Sequence, residues 1–362
     1  MAYTTIDNPE AYFQAKLYSG NSAADDAGSG TTNALTLDGD TDMQPDFLWL
    51  KRRDGTDSSH LFDAVRGVTK AIYATYANAE DTLANSLSSF NSDGFTLGND
   101  TGTGGAVNKT GETYVAWCWK AGTTGSGTTT GSGTGKAYSY SVSTTAGISI
   151  TKWLGNGSSG HTIPHNLGTT PQVVIMKNRD NAITWIVGHK SAAFTNILFL
   201  DATTAASDDA NAFADTDPTS TVWTMGTGNG GNDNDVNYVG YIFSEKQGFS
   251  KFGSYVGNGN SSNGTFVYTG FKPAWLMIKQ TSGTNLQSWW MIDNKRDTYN
   301  VCDEHLRANE TAAADESYDM LDFVSNGFKT RWDDDAVNGS GVSYVYMAFA
   351  EAPFVNSNGV PC

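Results

Sequence analysis

One short run of residues occurs three times in this chain, and it restricts the fold more than any other feature. The copies are Pro45-Asp46-Phe47-Leu48-Trp49-Leu50-Lys51, Pro171-Gln172-Val173-Val174-Ile175-Met176-Lys177 and Pro273-Ala274-Trp275-Leu276-Met277-Ile278-Lys279. The spacing from proline to lysine is the same in each. An unbroken apolar run of this length is a strand packed on both faces, because neither face needs polar alternation. Proline suits the first position of such a strand, where its missing N–H breaks no ladder bond.

Other landmarks keep a fixed order around these runs. The first copy opens with Leu17-Tyr18-Ser19-Gly20-Asn21 and continues past its Pro–Lys run to Asp63-Ala64-Val65-Arg66. It then has Phe90-Asn91-Ser92-Asp93-Gly94-Phe95 and ends with Tyr114-Val115-Ala116-Trp117-Cys118-Trp119. The third copy repeats this with Tyr255-Val256-Gly257-Asn258, Asp293-Asn294-Lys295-Arg296, Phe323-Val324-Ser325-Asn326-Gly327-Phe328 and Tyr344 to Phe349. The second is more divergent. It keeps Trp153-Leu154-Gly155-Asn156 and Tyr238 to Phe243, but has His189-Lys190 where the Asp-x-x-Arg pair would fall. Asp-Gly and Asn-Gly between aromatic residues are strong hairpin signals, and repeats of this length match the size of one β-sandwich.

The expected fold is therefore all-β, with three tandem antiparallel β-sandwich repeats of jelly-roll-like build. Repeat one covers 1–121, repeat two 137–248 and repeat three 249–362. Residues 122–136 are almost wholly Gly, Ser and Thr, a composition that predicts a flexible or extended connector. No such stretch separates the second and third repeats, which should form a rigid pair. Forty glycines against eight prolines fit many short strands and tight turns.

A net charge of −16 argues against a nucleic-acid partner or an anionic membrane surface. No apolar run approaches a membrane span. Met1 to Glu10 is polar and acidic, so no secretory leader is expected. The three scattered cysteines, Cys118, Cys302 and Cys362, suggest a reducing compartment rather than a disulfide framework.

Few residues promise chemistry. Gly131 to Lys136 looks like a phosphate loop, but Thr130 and Ala137 stand where Gly and Ser/Thr are needed. His161 and His165 would share a helix face suited to zinc, yet Pro164 between them excludes a helix. The Asp63–Arg66 and Asp293–Arg296 pairs recur at equivalent places and read as structural ion pairs. Acidic loops recur as Asn99-Asp100, Asp233-Asn234-Asp235 and Asp333-Asp334-Asp335 with Asn338. Asp233 and Asp235 are weak calcium candidates, because none of these loops has a known calcium-loop spacing. No cofactor and no catalytic residue is expected. The remaining candidates are aromatic: Trp332, in an acidic loop, and Trp289-Trp290, which point to opposite faces of one strand. Such rings, with Asp and Asn nearby, suit a glycan.

Met1-Ala2-Tyr3-Thr4-Thr5-Ile6-Asp7-Asn8-Pro9, Gly248 to Phe252, Val267 to Pro273 and Ala350 to Gly359 together resemble a family of marine bacteriophage virion proteins, tail-fibre-like or adhesin-like. The resemblance covers essentially the whole chain. It implies a structural, non-enzymatic virion protein, foremost a tail fibre that attaches to a host receptor. A capsid decoration or head-fibre protein is the alternative, and a glycan depolymerase is less favoured. The implied partners are other virion proteins, a cell-surface glycan or other receptor, and further copies of the chain, a trimer first among them.

Overall fold

The structure, a computed structural model, describes residues 3–22, 32–99, 107–228 and 230–362. Met1 and Ala2 of the opening motif and Asp100 of the first acidic loop lie outside these. The fold is all-β, and every ladder between the described strands is antiparallel.

Fourteen strands make up most of the three large sheets. In the first third they are β1 (Phe13–Ser19), β2 (Phe47–Arg52), β3 (His60–Asp63) and β4 (Thr113–Trp119). In the middle third they are β5 (Thr123–Thr128), β6 (Ala137–Ser143), β7 (Ile148–Leu154), β8 (Val173–Asn178), β9 (Ile186–His189) and β10 (Asn237–Phe243). The last third has β11 (Ser250–Val256), β12 (Phe271–Gln280), β13 (Trp290–Asp293) and β14 (Ser343–Pro353). The same neighbour order recurs as β1-β4-β2-β3, β7-β10-β8-β9 and β11-β14-β12-β13. Each Pro–Lys run is thus central, hydrogen-bonded to the strand that carries Tyr-Val-x-x-x-aromatic. In the first and last thirds, Phe90–Phe95 and Phe323–Phe328 close hairpins within small three-stranded sheets.

Alternation along the central strands explains why both faces had to be apolar. Leu48 and Leu50 pack with Leu87, Phe95 and Leu97 of the small sheet. Phe47 and Trp49 point the other way, into a core shared with Val173, Ile175 and Trp275 from the other thirds. The last aromatics of the three closing strands converge there. Trp119 and Phe243 lie 5.6 and 5.8 Å from Phe349, ring centre to ring centre, and Phe47 stacks on Tyr241 at 4.2 Å.

Around this core the thirds join in a closed cycle. The carbonyl of Arg53 accepts from the Ala314 N–H (2.7 Å), that of Arg179 from Glu80 (2.8 Å) and that of Thr281 from Ala206 (3.3 Å). The lysine of each Pro–Lys run crosses the same seams. Lys51 Nζ donates to the Glu310 carbonyl (2.6 Å), Lys177 to Ala77 (3.0 Å) and Lys279 to Thr203 (2.7 Å). Burial pushes all three ammonium groups down to about 8. First binds last, middle binds first, and last binds middle.

The connector expected at 122–136 is strand instead. β5 pairs with β6 along its length, and Thr130–Gly131 pairs with His161–Pro164. Composition misleads here because the glycines serve the ladder. A Cβ on Gly125 would sit 2.5 Å from the Tyr140 hydroxyl, and one on Gly127 would sit 2.8 Å from the Tyr138 ring. Each glycine leaves room for the tyrosine directly opposite, which covers the exposed backbone.

Candidate functional site

The adjacent tryptophans Trp289 and Trp290 do face opposite ways, and neither is exposed. Trp289 enters the shared core, and its indole N–H donates to the Phe199 carbonyl across a seam (2.8 Å). That makes it a packing residue rather than a binding one. Trp290, the first residue of β13, faces outward beneath two further elements. The Arg307 guanidinium lies 4.4 Å above its ring, and the edge of Trp332 meets it at 6.1 Å. Trp332 in turn stacks on Tyr318, with centroids 4.2 Å apart and planes within 12°.

These rings border a cleft of about 370 Å³ completed by Thr203, Gln287, Ser288, Glu310 and Asp334. Tyr318 is 41 % exposed and Trp332 half-buried, so their stacked pair is reachable from solvent. The cleft's position follows from the repeated lysine. Lys279 Nζ holds the carbonyls of Thr203 and Gln287, both at 2.7 Å, and so fixes one wall across the seam. Glu310 fixes another, since its carbonyl receives Lys51 (2.6 Å) while its carboxylate receives Ser288 and Arg307. Burial alone would raise the Glu310 carboxyl, but the Ser288 and Arg307 hydrogen bonds outweigh it and hold the group below its usual range. The result is an aromatic wall with fixed polar groups around it, the general form of a small-molecule site.

A family model matches residues 8–353, and its description is Domain of unknown function (DUF7483). The chain belongs to the DUF7483 family. No curated protein and no solved structure matches it.

The other candidates in this DUF7483 chain have structural surroundings. Asp63 and Arg66 form a fully buried ion pair that also binds Tyr241 of the middle third. Asp293 and Arg296 repeat it at 2.7 Å, with the Trp117 indole donating to Asp293 at 2.9 Å. At the third seam His189 Nε2 meets the Tyr346 carbonyl at 3.3 Å. His161 and His165 lie on or beside the strand His161–Pro164, both buried, and His161 uses both ring nitrogens, on Asn232 (2.8 Å) and Thr129 (2.6 Å). Asp235 pairs with Lys136, while the backbone N–H of Asp233 donates to Tyr238 Oη at 2.8 Å. Among the described residues no group of three or more His, Cys, Asp or Glu is placed to hold a metal ion. No described helix is long and apolar enough to cross a membrane.

Tyr318, Arg307, Glu310 and Ser288 had no sequence signal. Tyr318, Glu310 and Ser288 fall in irregular segments and Arg307 on the short strand Leu306–Arg307 paired with β13, and their meeting depends on how the last third folds over β13.

Proposed function

We propose that this DUF7483 chain is a non-catalytic virion attachment protein, a tail fibre or a close counterpart, and that it binds a host-surface glycan in the Trp290–Trp332 cleft. The observation that carries the reading is the exposed stack of Tyr318 on Trp332 above fixed hydrogen-bonding groups. A flat aromatic pair takes the apolar face of a sugar ring, while Gln287, Ser288 and Asp334 are within the same cleft for its hydroxyls. The resemblance of the whole chain to virion adhesins supplies the biological setting. Glu310, whose hydrogen bonds favour its ionised form, is unsuited to be the proton-donating carboxyl a glycosidase requires.

The test is binding of host surface polysaccharide to the purified chain, with Trp332→Ala and Tyr318→Ala as variants. Saturable binding that falls about tenfold or more in both supports the reading; undiminished binding overturns the cleft. Release of reducing ends would overturn the non-enzymatic part. Antibody labelling of virions separates tail from head, and decorated heads alone would make it a head fibre or capsid decoration. Light scattering tests the trimer. A mass of one chain would leave the internal cycle as the only threefold element.

A further inference from the structure

The first strand of the last third ends its sheet, as β1 does in the first third, whereas the equivalent strand of the middle third carries a further strand on that edge. β7 and β11 are equivalent strands: each pairs on one side with its closing strand, at Ile150↔Tyr241 and Phe252↔Met347. On its other side β7 pairs with β6, the run Ala137-Tyr138-Ser139-Tyr140-Ser141-Val142-Ser143, through contacts such as Ile150↔Ser141 and Lys152↔Ser139. Among the described strands β11 has no such neighbour and ends its sheet.

The backbone of that edge can be read from its ends. The Gly257 N–H donates toward β14, to Val342 (2.9 Å), while the Val256 carbonyl points away and accepts from Thr265 (3.2 Å). Antiparallel alternation then turns the N–H and C=O of Phe252 and Ser254 away from β14, toward the open side. In the equivalent ladder, Ile150 and Lys152 present the same groups to β6. A groove of about 680 Å³ lies beside the β11 edge, lined by Lys251, Phe252 and Gly253 and by Gln172, Lys190 and Glu245, with Lys251 Nζ bonded to the Glu245 carboxylate (2.6 Å). The neighbouring turn 190–192 does not preclude a strand there. Its counterpart at 64–66 lies against β7 through the bond from Lys152 Nζ to the Val65 carbonyl (2.7 Å), and β7 is paired with β6 all the same.

We infer that the β11 edge is a strand-acceptor site, which binds an extended antiparallel segment of a partner protein in which small polar residues alternate with aromatic or aliphatic ones, as they do in β6. Main-chain bonds to Phe252 and Ser254 give affinity, and alternate side chains in the groove give selectivity. The inference is independent of the glycan cleft.

The experiment uses the full chain and a synthetic peptide of the β6 sequence, Ala-Tyr-Ser-Tyr-Ser-Val-Ser, with a composition-matched scramble as control. Calorimetry should show saturable binding of the first and about tenfold weaker binding of the second. Ser254→Pro removes one outward N–H at an edge position, where proline is tolerated. It should abolish binding while leaving the circular dichroism spectrum and melting temperature unchanged. Gln172→Ala, across the groove, serves as a second variant should the proline disturb the fold, and is expected to weaken binding. No binding of the β6 peptide, or equal binding by the scramble, by Ser254→Pro or by Gln172→Ala in a folded chain, overturns the proposal.

Discussion

At the scale of single residues, the most informative groups are three buried asparagines. Asn108, Asn232 and Asn338 each present Oδ1 to the backbone N–H of Asn21 (3.1 Å), Asn156 (3.1 Å) and Asn258 (3.0 Å). The residue after each asparagine then donates its N–H to the tyrosine that opens the closing strand: Lys109 to Tyr114 (3.2 Å), Asp233 to Tyr238 (2.8 Å) and Gly339 to Tyr344 (2.8 Å). This explains the recurring Gly-Asn landmark. A Cβ on Gly20, Gly155 or Gly257 would lie 2.1 to 2.3 Å from a carbonyl of the asparagine loop. In the second and third copies this polar clasp, at Asn232 and Asn338, sits beside the acidic loops Asp233-Asn234-Asp235 and Asp333-Asp334-Asp335. Asn338→Ala strips several bonds from a buried site and should cost about 2–3 kcal/mol by urea denaturation, and Tyr344→Phe about 1 kcal/mol. The buried histidines set an acid response. Burial holds His165 and His189 down to about 4, against about 6.5 in an unfolded chain. Between those values the unfolded state takes up protons that the folded state refuses, so stability falls as pH drops from 6.5 toward 4, by about 3 kcal/mol per histidine. His189→Gln should therefore lose less stability than the parent between pH 7 and pH 5.

At the scale of elements, the Gly/Ser/Thr stretch is where composition and structure part. Local sequence in 122–136 has no apolar pattern, because most of its side chains face solvent. What orders it is a partner ladder with tyrosines placed opposite its glycines. Limited proteolysis should leave 122–136 intact in the parent chain. A Gly125→Val, Gly127→Val double variant should become cleavable there with the rest of the fold retained, because valine would displace the Tyr138 and Tyr140 rings. Rapid cleavage of the parent would restore the connector reading.

At the scale of the whole molecule, a shared core and a closed cycle of seams join the three β-units without a tether. Phe349 contacts Phe13, Trp119 and Phe243, so it belongs to all three thirds at once. Phe349→Ala should cost about 3–5 kcal/mol and shift a single cooperative transition. Independent units would instead give separate transitions, of which only one would move, and differential scanning calorimetry distinguishes the two.

Sequence alone determined the three Pro–Lys strands, the strands that close each repeat and the all-β class. Those depend on local signals: apolar runs of fixed length in every repeat, and turn dipeptides in the first and third. It also marked Trp290 and Trp332, but it could not separate Trp290 from Trp289, since adjacent residues on one strand differ only in which face meets which neighbour. Tertiary structure decided that Trp289 belongs to a seam and Trp290 to a cleft. It likewise turned the closing lysine of each Pro–Lys run from a strand end into a bond between thirds. Those outcomes rest on contacts between residues far apart in the chain, such as Lys279 with Thr203, and no local pattern encodes them.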